Sequence, residues 1–228
     1  MELFERLADE QTRLAHGISL VNRVDTDALG LVAGVDTAYW TDSEGVEQAV
    51  CCVVVVDGAT RQVVRSVRAQ GRPTVPYRPG FLGFRELPLV EAAVARLDVA
   101  PDLFMFDGNG YLHPRRMGIA TQASFALGRP TLGVAKTYHR VDGTDYQVPD
   151  DRVGAWTPIV AAGPPEVLGA VLRTRQGVKP VFVSCGNWID LDTAVTVTLG
   201  LVEPSSRLPV PVRQADLATH QARSQARA

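Results

Sequence analysis

The sequence has few of the features that define extracellular and membrane proteins. Its three cysteines, Cys51, Cys52 and Cys185, form no even disulfide framework, and two of them are adjacent in an apolar run. They are therefore predicted to be small buried side chains in a reducing compartment. The first eight residues carry acidic side chains, unlike a secretory signal, and no apolar stretch reaches the ~18 residues that a membrane span needs. We expect a water-soluble cytoplasmic protein with no membrane partner.

The chain also lacks the basic surplus that is typical of proteins that bind nucleic acids. Its 23 lysine and arginine residues are offset by 25 acidic residues, which gives a formal net charge of −2. Lysine itself is scarce, because Lys136 and Lys179 are the only two. Net charge therefore gives no argument for a nucleic acid partner, although Lys136 directly follows an apolar segment and is a candidate functional cation.

The chain does contain enough apolar residues for a folded protein of one or two domains, since 46% of its 228 residues are hydrophobic and 21% are charged. Periodicity and turn signals predict four helices and seven strands. The helices are predicted near residues 1–18, 88–97, 117–127 and 191–198, and the strands at 31–35, 49–56, 62–67, 103–106, 131–135, 167–172 and 181–184. A leading hairpin followed by alternating helices and strands predicts an α/β fold with a central mixed β-sheet flanked by helices.

The composition changes after residue 203. Residues 204–228 are rich in Ser, Pro, Arg, Gln and Ala, and they contain four arginines and one acid, Asp216, for a net charge of +3. We predict one domain over residues 1–203 and a flexible, solvated tail over 204–228. The alternative is an electrostatic arm that binds nucleic acid.

Asp36 and Asp107 share a local pattern, because each ends an apolar run and precedes a turn or loop. An acid in that position lies at the rim of a sheet, where open α/β folds bind their ligands. Two carboxylates that converge there need a cation, and a divalent ion with oxygen ligands fits best. The alternative for each aspartate is a cap of a turn or helix.

The segment after Asp107 is unusual for an ordinary turn. Gly108 and Gly110 flank Asn109 and permit close approach of the backbone, as a binding loop requires. His113, Pro114, Arg115 and Arg116 then precede a predicted helix, whose N-terminus favours anions such as phosphate. A helix-capping role is the alternative for His113.

The segment formed by Pro76, Tyr77, Arg78, Pro79 and Gly80 is predicted to be a stiff loop. The two prolines restrict the backbone on either side of Tyr77, so the ring can be held outward at little entropic cost. A rigid exposed aromatic ring can separate or stack on bases. The alternative is an ordinary connection whose tyrosine packs on the core.

Four motifs carry a family resemblance: VAGVDTAYW, PYRPGFLGFRE, DGNGYLHPRRMGIATQASFALGRPTLGVAKT and PVFVSCGNWIDLDTAV. In this order, over residues 31–199, they resemble the endonuclease V family. The resemblance implies a ribonuclease H-like fold and Mg²⁺-dependent hydrolysis of a phosphodiester bond, with Mn²⁺ able to substitute. It also implies recognition of inosine and other deaminated bases in DNA and cleavage on the 3′ side, one nucleotide beyond the lesion. Some members of the family prefer inosine in RNA, so the choice between DNA and RNA stays open, and a monomer is expected.

The resemblance assigns roles to individual residues. It implies that Asp36, Glu86 and Asp107 bind the metal, that His113 and Lys136 lie near the scissile phosphate, and that residues 76–80 separate the strands. The expected DNA-binding residues are Pro76, Tyr77, Arg78, Pro79, Gly80, Gly108, Asn109, Gly110, Arg115 and Arg116, with Gly108 and Gly110 forming the pocket for a flipped base. The two arginines are expected to contact backbone phosphates.

One departure from the family pattern stands out, because Asn187 occupies a position where the family usually has a histidine. Asn187 is expected to offer its carbonyl oxygen to Mg²⁺, with Asp190 or Asp192 supplying charge nearby. The alternative is a protein that binds lesions but has reduced or lost cleavage. A more remote alternative is a nuclease of the same fold that is indifferent to the base.

Overall fold

The computed structural model describes residues 2–162 and 165–227. Its helices are α1 (Leu3–Ala15), α2 (Leu82–Val94), α3 (Ile119–Leu127), α4 (Leu191–Gly200) and α5 (Val210–Ala226). Its strands are β1 (Leu31–Thr41), β2 (Glu47–Asp57), β3 (Val63–Gly71), β4 (Leu103–Phe106), β5 (Thr131–Ala135), β6 (Thr144–Tyr146), β7 (Trp156–Ala161), β8 (Glu166–Leu172) and β9 (Val181–Asn187). Among the described residues, no helix is long and apolar enough to cross a membrane.

All nine strands belong to one sheet in the order β3-β2-β1-β4-β5-β9-β8-β7-β6. β1, β2 and β3 form an antiparallel meander, as the predicted hairpin requires, and β4 and β5 continue the sheet parallel to β1. β9 runs antiparallel to β5 and leads into the antiparallel strands β8, β7 and β6. The predicted mixed sheet flanked by helices is confirmed.

Helices cover both faces of the sheet, so the side chains of β1 alternate between two cores. Ala33 and Val35 pack in the cluster that contains Val90 of α2. Val32 packs on the opposite face, in the cluster that contains Val212 of α5. By this period of two, Asp36 lies on the α5 face of the sheet, whereas Tyr39 lies on the α2 face.

The prediction of a flexible tail is wrong for residues 210–226, which form helix α5 against β1 and β2. Its buried positions include Val212, Ala215, Thr219 and Ala222, which are mostly small and therefore give a weak apolar signal in the sequence. α5 approaches β1 closely, since a Cβ added to Gly34 of β1 would lie 2.0 Å from the carbonyl oxygen of Pro211 in α5.

Three further elements differ from the sequence prediction. α2 begins at Leu82 rather than near Pro88, which lies inside the helix, and this earlier start places Glu86 on the helix. A proline costs an interior helix one backbone hydrogen bond and a steric adjustment, and the buried residues of α2 offset that cost. The short strands β6 and β7 at the edge of the sheet were not predicted.

Candidate active site

Three carboxylates from separate elements meet where β4 ends. Asp36 was expected to precede a turn, but it lies within β1, which continues to Thr41. Asp36 lies on β1, Asp107 directly follows β4, and Asp216 lies on α5. Within the described part of the chain, these three side chains offer ligand atoms that all lie within 4.8 Å of one another. Asp36 and Asp107 converge because β1 and β4 are parallel neighbours in which Val35 pairs with Phe106.

Sequence reasoning missed Asp216, which it placed in a solvated tail. α5 brings the Asp216 side chain to the site because this helix packs across β1. Thr219, three residues later, donates a hydrogen bond of 2.6 Å to Oδ2 of Asp36. One signal could have found it: Asp216 is the only acid among the last 25 residues.

Lys136 neutralises part of the charge of this cluster. Its Nζ lies 2.6 Å from Oδ2 of Asp107 and 2.6 Å from Oδ1 of Asp216. Burial opposes the charged form, but the hydrogen bonds to the two carboxylates outweigh it and raise the pKa of Lys136. The lysine reaches the site because it directly follows β5, the parallel neighbour of β4.

Glu86 stands beside the three aspartates rather than among them. It extends from α2 on the other face of the sheet, where the Tyr39 hydroxyl donates a hydrogen bond of 2.8 Å to its Oε1. Burial, helped by the negative charges of Asp36 and Asp107, raises the pKa of Glu86 to about 8. In the absence of a cation, Glu86 is therefore mainly protonated at neutral pH, whereas a bound divalent ion would favour its carboxylate form.

The neighbouring residue connects Glu86 to the loop at 76–80. Arg85 lies 4.6 Å from the Tyr39 ring centroid, pairs with Glu47 at 2.6 Å and donates to the carbonyl of Val75 at 2.7 Å. Its buried guanidinium thus connects Tyr39, the hydrogen-bond partner of Glu86, to Val75, which directly precedes the predicted strand-separating loop.

That loop lines a cavity of about 100 Å³ together with Asn109 and residues near the start of α3. Gly108 and Gly110, which were expected to form the pocket for a flipped base, are not among its lining residues. Its walls include Tyr77, Gly80, Gly83, Asn109, Gly118 and Ile119. The Tyr77 side chain is exposed, as expected for a ring held outward. Gly118 permits the loop to close, because a Cβ there would lie 2.2 Å from the carbonyl oxygen of Asn109.

His113 is a neutral, fixed ring rather than a cation. Its Nδ1 accepts hydrogen bonds from the backbone N–H groups of Arg115 and Met117 at 3.1 and 3.3 Å, so Nε2 carries the proton and donates to the Gly80 carbonyl at 3.0 Å. Burial, together with the charge of Arg115, lowers the pKa of His113 to about 3. His113 therefore offers no positive charge to a phosphate. It also does not cap α3, whose N-cap is Gly118 without a side-chain hydrogen bond.

Both arginines that follow are engaged within the protein. Arg115 donates from Nε to Oε1 of Gln11 at 2.6 Å and from Nη2 to the Gly80 carbonyl at 3.0 Å. Arg116 forms a two-pronged ion pair with Glu166, at 3.1 and 2.5 Å. The free guanidiniums expected for phosphate contacts are thus already paired in this structure.

The expectation that Asn187 is a metal ligand is wrong. Its side chain is fully buried, and its Oδ1 accepts from the backbone N–H groups of Ser19 and Trp188 at 2.8 and 3.1 Å. Asn187 pairs with Thr131 at the start of β5, whereas Lys136, which contacts Asp107 and Asp216, directly follows the other end of that strand. At ~3.3 Å per residue this separates Asn187 from Lys136 by roughly 16 Å. The substitution of asparagine for histidine therefore gives no reason to expect lost cleavage, and Asp190 caps α4 instead by accepting from the Thr193 N–H.

The comparisons with known proteins agree with one another. The family model described as Endonuclease V matches residues 12–217. A curated relative named Endonuclease V, from Bacillus subtilis, is 50% identical over 210 residues, which cover 92% of this chain and 87% of the relative.

Solved structures extend this likeness to the fold. A crystal structure of the Bacillus subtilis Endonuclease V matches with a TM-score of 0.93 at 48% identity, covering 98% of this chain and 93% of that one. Endonuclease V from Ciona intestinalis, solved in complex with a 24mer DNA containing an inosine, matches with a TM-score of 0.85 over 97% of this chain and 98% of its own, and at 24% identity it shows the fold alone. The ribonuclease H-like fold that the sequence motifs implied is confirmed.

Proposed function

The chain belongs to the endonuclease V family, and on that premise we propose that it is a divalent-metal-dependent endonuclease that recognises inosine in DNA. The proposed reaction is hydrolysis of a phosphodiester bond on the 3′ side of the lesion, one nucleotide beyond it, in the repair of deaminated bases. The observation that carries the proposal is the convergence of Asp36, Asp107 and Asp216 within 4.8 Å.

The residues of this cluster fit a divalent cation. Three carboxylates at this distance repel one another, and the single ammonium of Lys136 balances only part of their charge. Oxygen donors are the ligands that Mg²⁺ prefers in proteins, and Glu86, whose pKa is affected by the charges of Asp36 and Asp107, is the proposed fourth carboxylate. When bound, Mg²⁺, or Mn²⁺ in its place, supplies a water of lowered pKa and neutralises charge on the leaving oxygen.

The remaining groups of the cluster have roles that follow from their contacts. Lys136 is held by two carboxylates at the site, where its ammonium would stabilise negative charge that builds up on the phosphate. Thr219 fixes the Asp36 carboxylate through a hydrogen bond to Oδ2, which leaves Oδ1 available. Tyr39 fixes Glu86 in the same manner from the opposite face of the sheet.

The cavity bordered by the 76–80 loop supports recognition of a base that has left the duplex. Tyr77 is exposed at its mouth and can enter the space that a flipped nucleotide vacates. Gly80, Gly83 and Gly118 are among the lining residues, so backbone groups there can approach the base closely, beside the side chains of Asn109 and His113. An inosine pairs weakly with most bases, which lowers the cost of extruding it.

The test compares matched DNA strands that carry inosine or adenosine at one position, together with the corresponding RNA strands, in the presence of Mg²⁺. We expect cleavage at inosine and its loss in Asp107→Ala, because that change removes a carboxylate of the cluster and a partner of Lys136. Asp98→Ala is the matched control, since Asp98 makes only an exposed ion pair with Arg65. Cleavage that persists in Asp107→Ala would refute the assignment of the site, and equal cleavage at adenosine would favour a nuclease indifferent to the base.

A further inference from the structure

Gln11 is the one buried residue of α1, and it is polar. Its side chain is fully inaccessible to solvent, while its neighbours Glu10 and Thr12 are exposed. Burial of a carboxamide is costly unless its groups are hydrogen-bonded, and both ends of this amide are. Nε2 donates to the carbonyls of Gly80 and Met117 at 3.1 and 3.2 Å, and Oε1 accepts from Arg115 Nε at 2.6 Å.

The carbonyl of Gly80 is the point at which these contacts meet. It accepts from Nε2 of Gln11, from Nε2 of His113 and from Nη2 of Arg115, at 3.1, 3.0 and 3.0 Å. Gly80 ends the loop at 76–80 and has a φ of +81°, a conformation that favours glycine. Three donors from two separate segments therefore fix the loop that carries Tyr77.

A second contact joins α1 to the end of the 76–80 loop. The Phe4 ring packs edge-on against Phe81, with centroids 5.1 Å apart, and the Arg78 guanidinium lies 4.6 Å from the centroid of Phe4. Phe4 and Gln11 are seven residues apart and so share one face of the helix. That face of α1 meets the end of the 76–80 loop and the segment at 113–117, both of which border the cavity.

We propose that Gln11 is a positioning residue for base recognition, which sets the spacing between the strand-separating loop and the cavity for the flipped base. This inference rests on the proposed function and adds α1 to the recognition apparatus. Gln11 acts through Gly80 and Arg115 and does not touch the carboxylate cluster. Its loss should therefore change discrimination between bases and leave metal binding intact, whereas a general loss of structure would lower both.

The experiment compares wild type with Gln11→Met, Gln11→Glu and the control Glu10→Ala. Methionine keeps the volume and removes all three hydrogen bonds. Glutamate keeps an acceptor for Arg115 but removes the donor to the carbonyls of Gly80 and Met117. It therefore tests the proposal in a protein that retains the contact with Arg115 if the methionine variant fails to fold. We expect both variants to lower kcat/KM at inosine by about tenfold or more, as the loss of two buried hydrogen bonds implies. Cleavage at adenosine and the Mg²⁺ concentration for half-maximal rate should stay as in wild type.

Amide hydrogen exchange of the free protein gives a readout independent of cleavage. Exchange should rise in peptides that cover residues 76–83 and 113–118 of both Gln11 variants, and stay unchanged in Glu10→Ala. A folded Gln11 variant with the wild-type ratio of inosine to adenosine cleavage and wild-type exchange overturns the inference. If wild type fails to cleave at inosine, the proposed function fails, while the exchange experiment still decides whether Gln11 holds the loop.

Discussion

Replacement of Glu86 by glutamine should stabilise the metal-free protein, and more so as pH rises. Glu86 is buried next to Asp36 and Asp107, and its pKa is raised to about 8 in the folded protein, against about 4.3 for a free glutamate. The neutral acid is therefore the form that the fold favours. The stability that this neutral acid adds to the folded protein is fully present below about pH 4.3. It is lost as pH rises toward 8, because Glu86 ionises at lower pH in the unfolded chain than in the folded protein.

The magnitude follows from the size of that shift. Each pH unit in this window lowers the free energy of unfolding by about 1.4 kcal/mol. The wild-type protein should therefore lose roughly 2–3 kcal/mol of stability between pH 5 and pH 7 through Glu86 alone. Glutamine cannot ionise, and its Oε1 can still accept the hydrogen bond from Tyr39. The difference in unfolding free energy between Glu86→Gln and wild type should therefore grow with pH, while cleavage activity falls because a carboxylate beside the aspartate cluster is gone.

Urea unfolding in EDTA at pH 5, 6, 7 and 8 measures this difference directly. Glu91→Gln is the matched control, because Glu91 is exposed on the same helix, and its difference from wild type should not vary with pH in this way. Saturating Mg²⁺ should remove the advantage of Glu86→Gln by stabilising the wild-type carboxylate. A difference that stays constant from pH 5 to pH 8 would refute the reasoning that burial and neighbouring acids hold Glu86 neutral.

Two further predictions concern residues whose roles emerged from the tertiary structure. Asp216→Ala should reduce cleavage by about 100-fold or more at limiting Mg²⁺, since it removes a carboxylate of the cluster. Leu217→Ala changes an exposed residue of the same helix and should leave cleavage unaltered. Equal rates for the two variants would contradict the assignment of Asp216 to the site. Asn187→Ala should lower the unfolding free energy by about 1–3 kcal/mol, because the backbone N–H of Ser19 loses its acceptor, whereas that of Trp188 keeps the Ser19 carbonyl at 2.7 Å. The folded variant should keep its dependence on Mg²⁺, and a changed dependence in metal titrations of cleavage would show that Asn187 acts at the site after all.

Much of the site could be predicted because parallel strands end at the same edge of a sheet. Short apolar runs locate β1, β4 and β5, and the polar residues that end two of them, Asp107 and Lys136, lie 2.6 Å apart in the structure. Asn187 also ends an apolar run, and the family resemblance placed it at the metal, but the structure does not. β9 is antiparallel to β5, so its last residue lies at the opposite edge, and the direction of a strand is not written in its local sequence.

By itself, the sequence of this protein determined the strand-forming runs, the glycine-rich loop, the rigid loop around Tyr77 and the family to which its motifs point. Each of these is local, because it depends on backbone preferences and on apolar side chains a few residues apart. Tertiary structure alone decided that α5 brings Asp216 to Asp36 and Asp107, that His113 is neutral, and that Gln11 holds Gly80. Those outcomes depend on which distant segment covers a group and removes it from water, since desolvation and hydrogen-bond partners set its charge and its position.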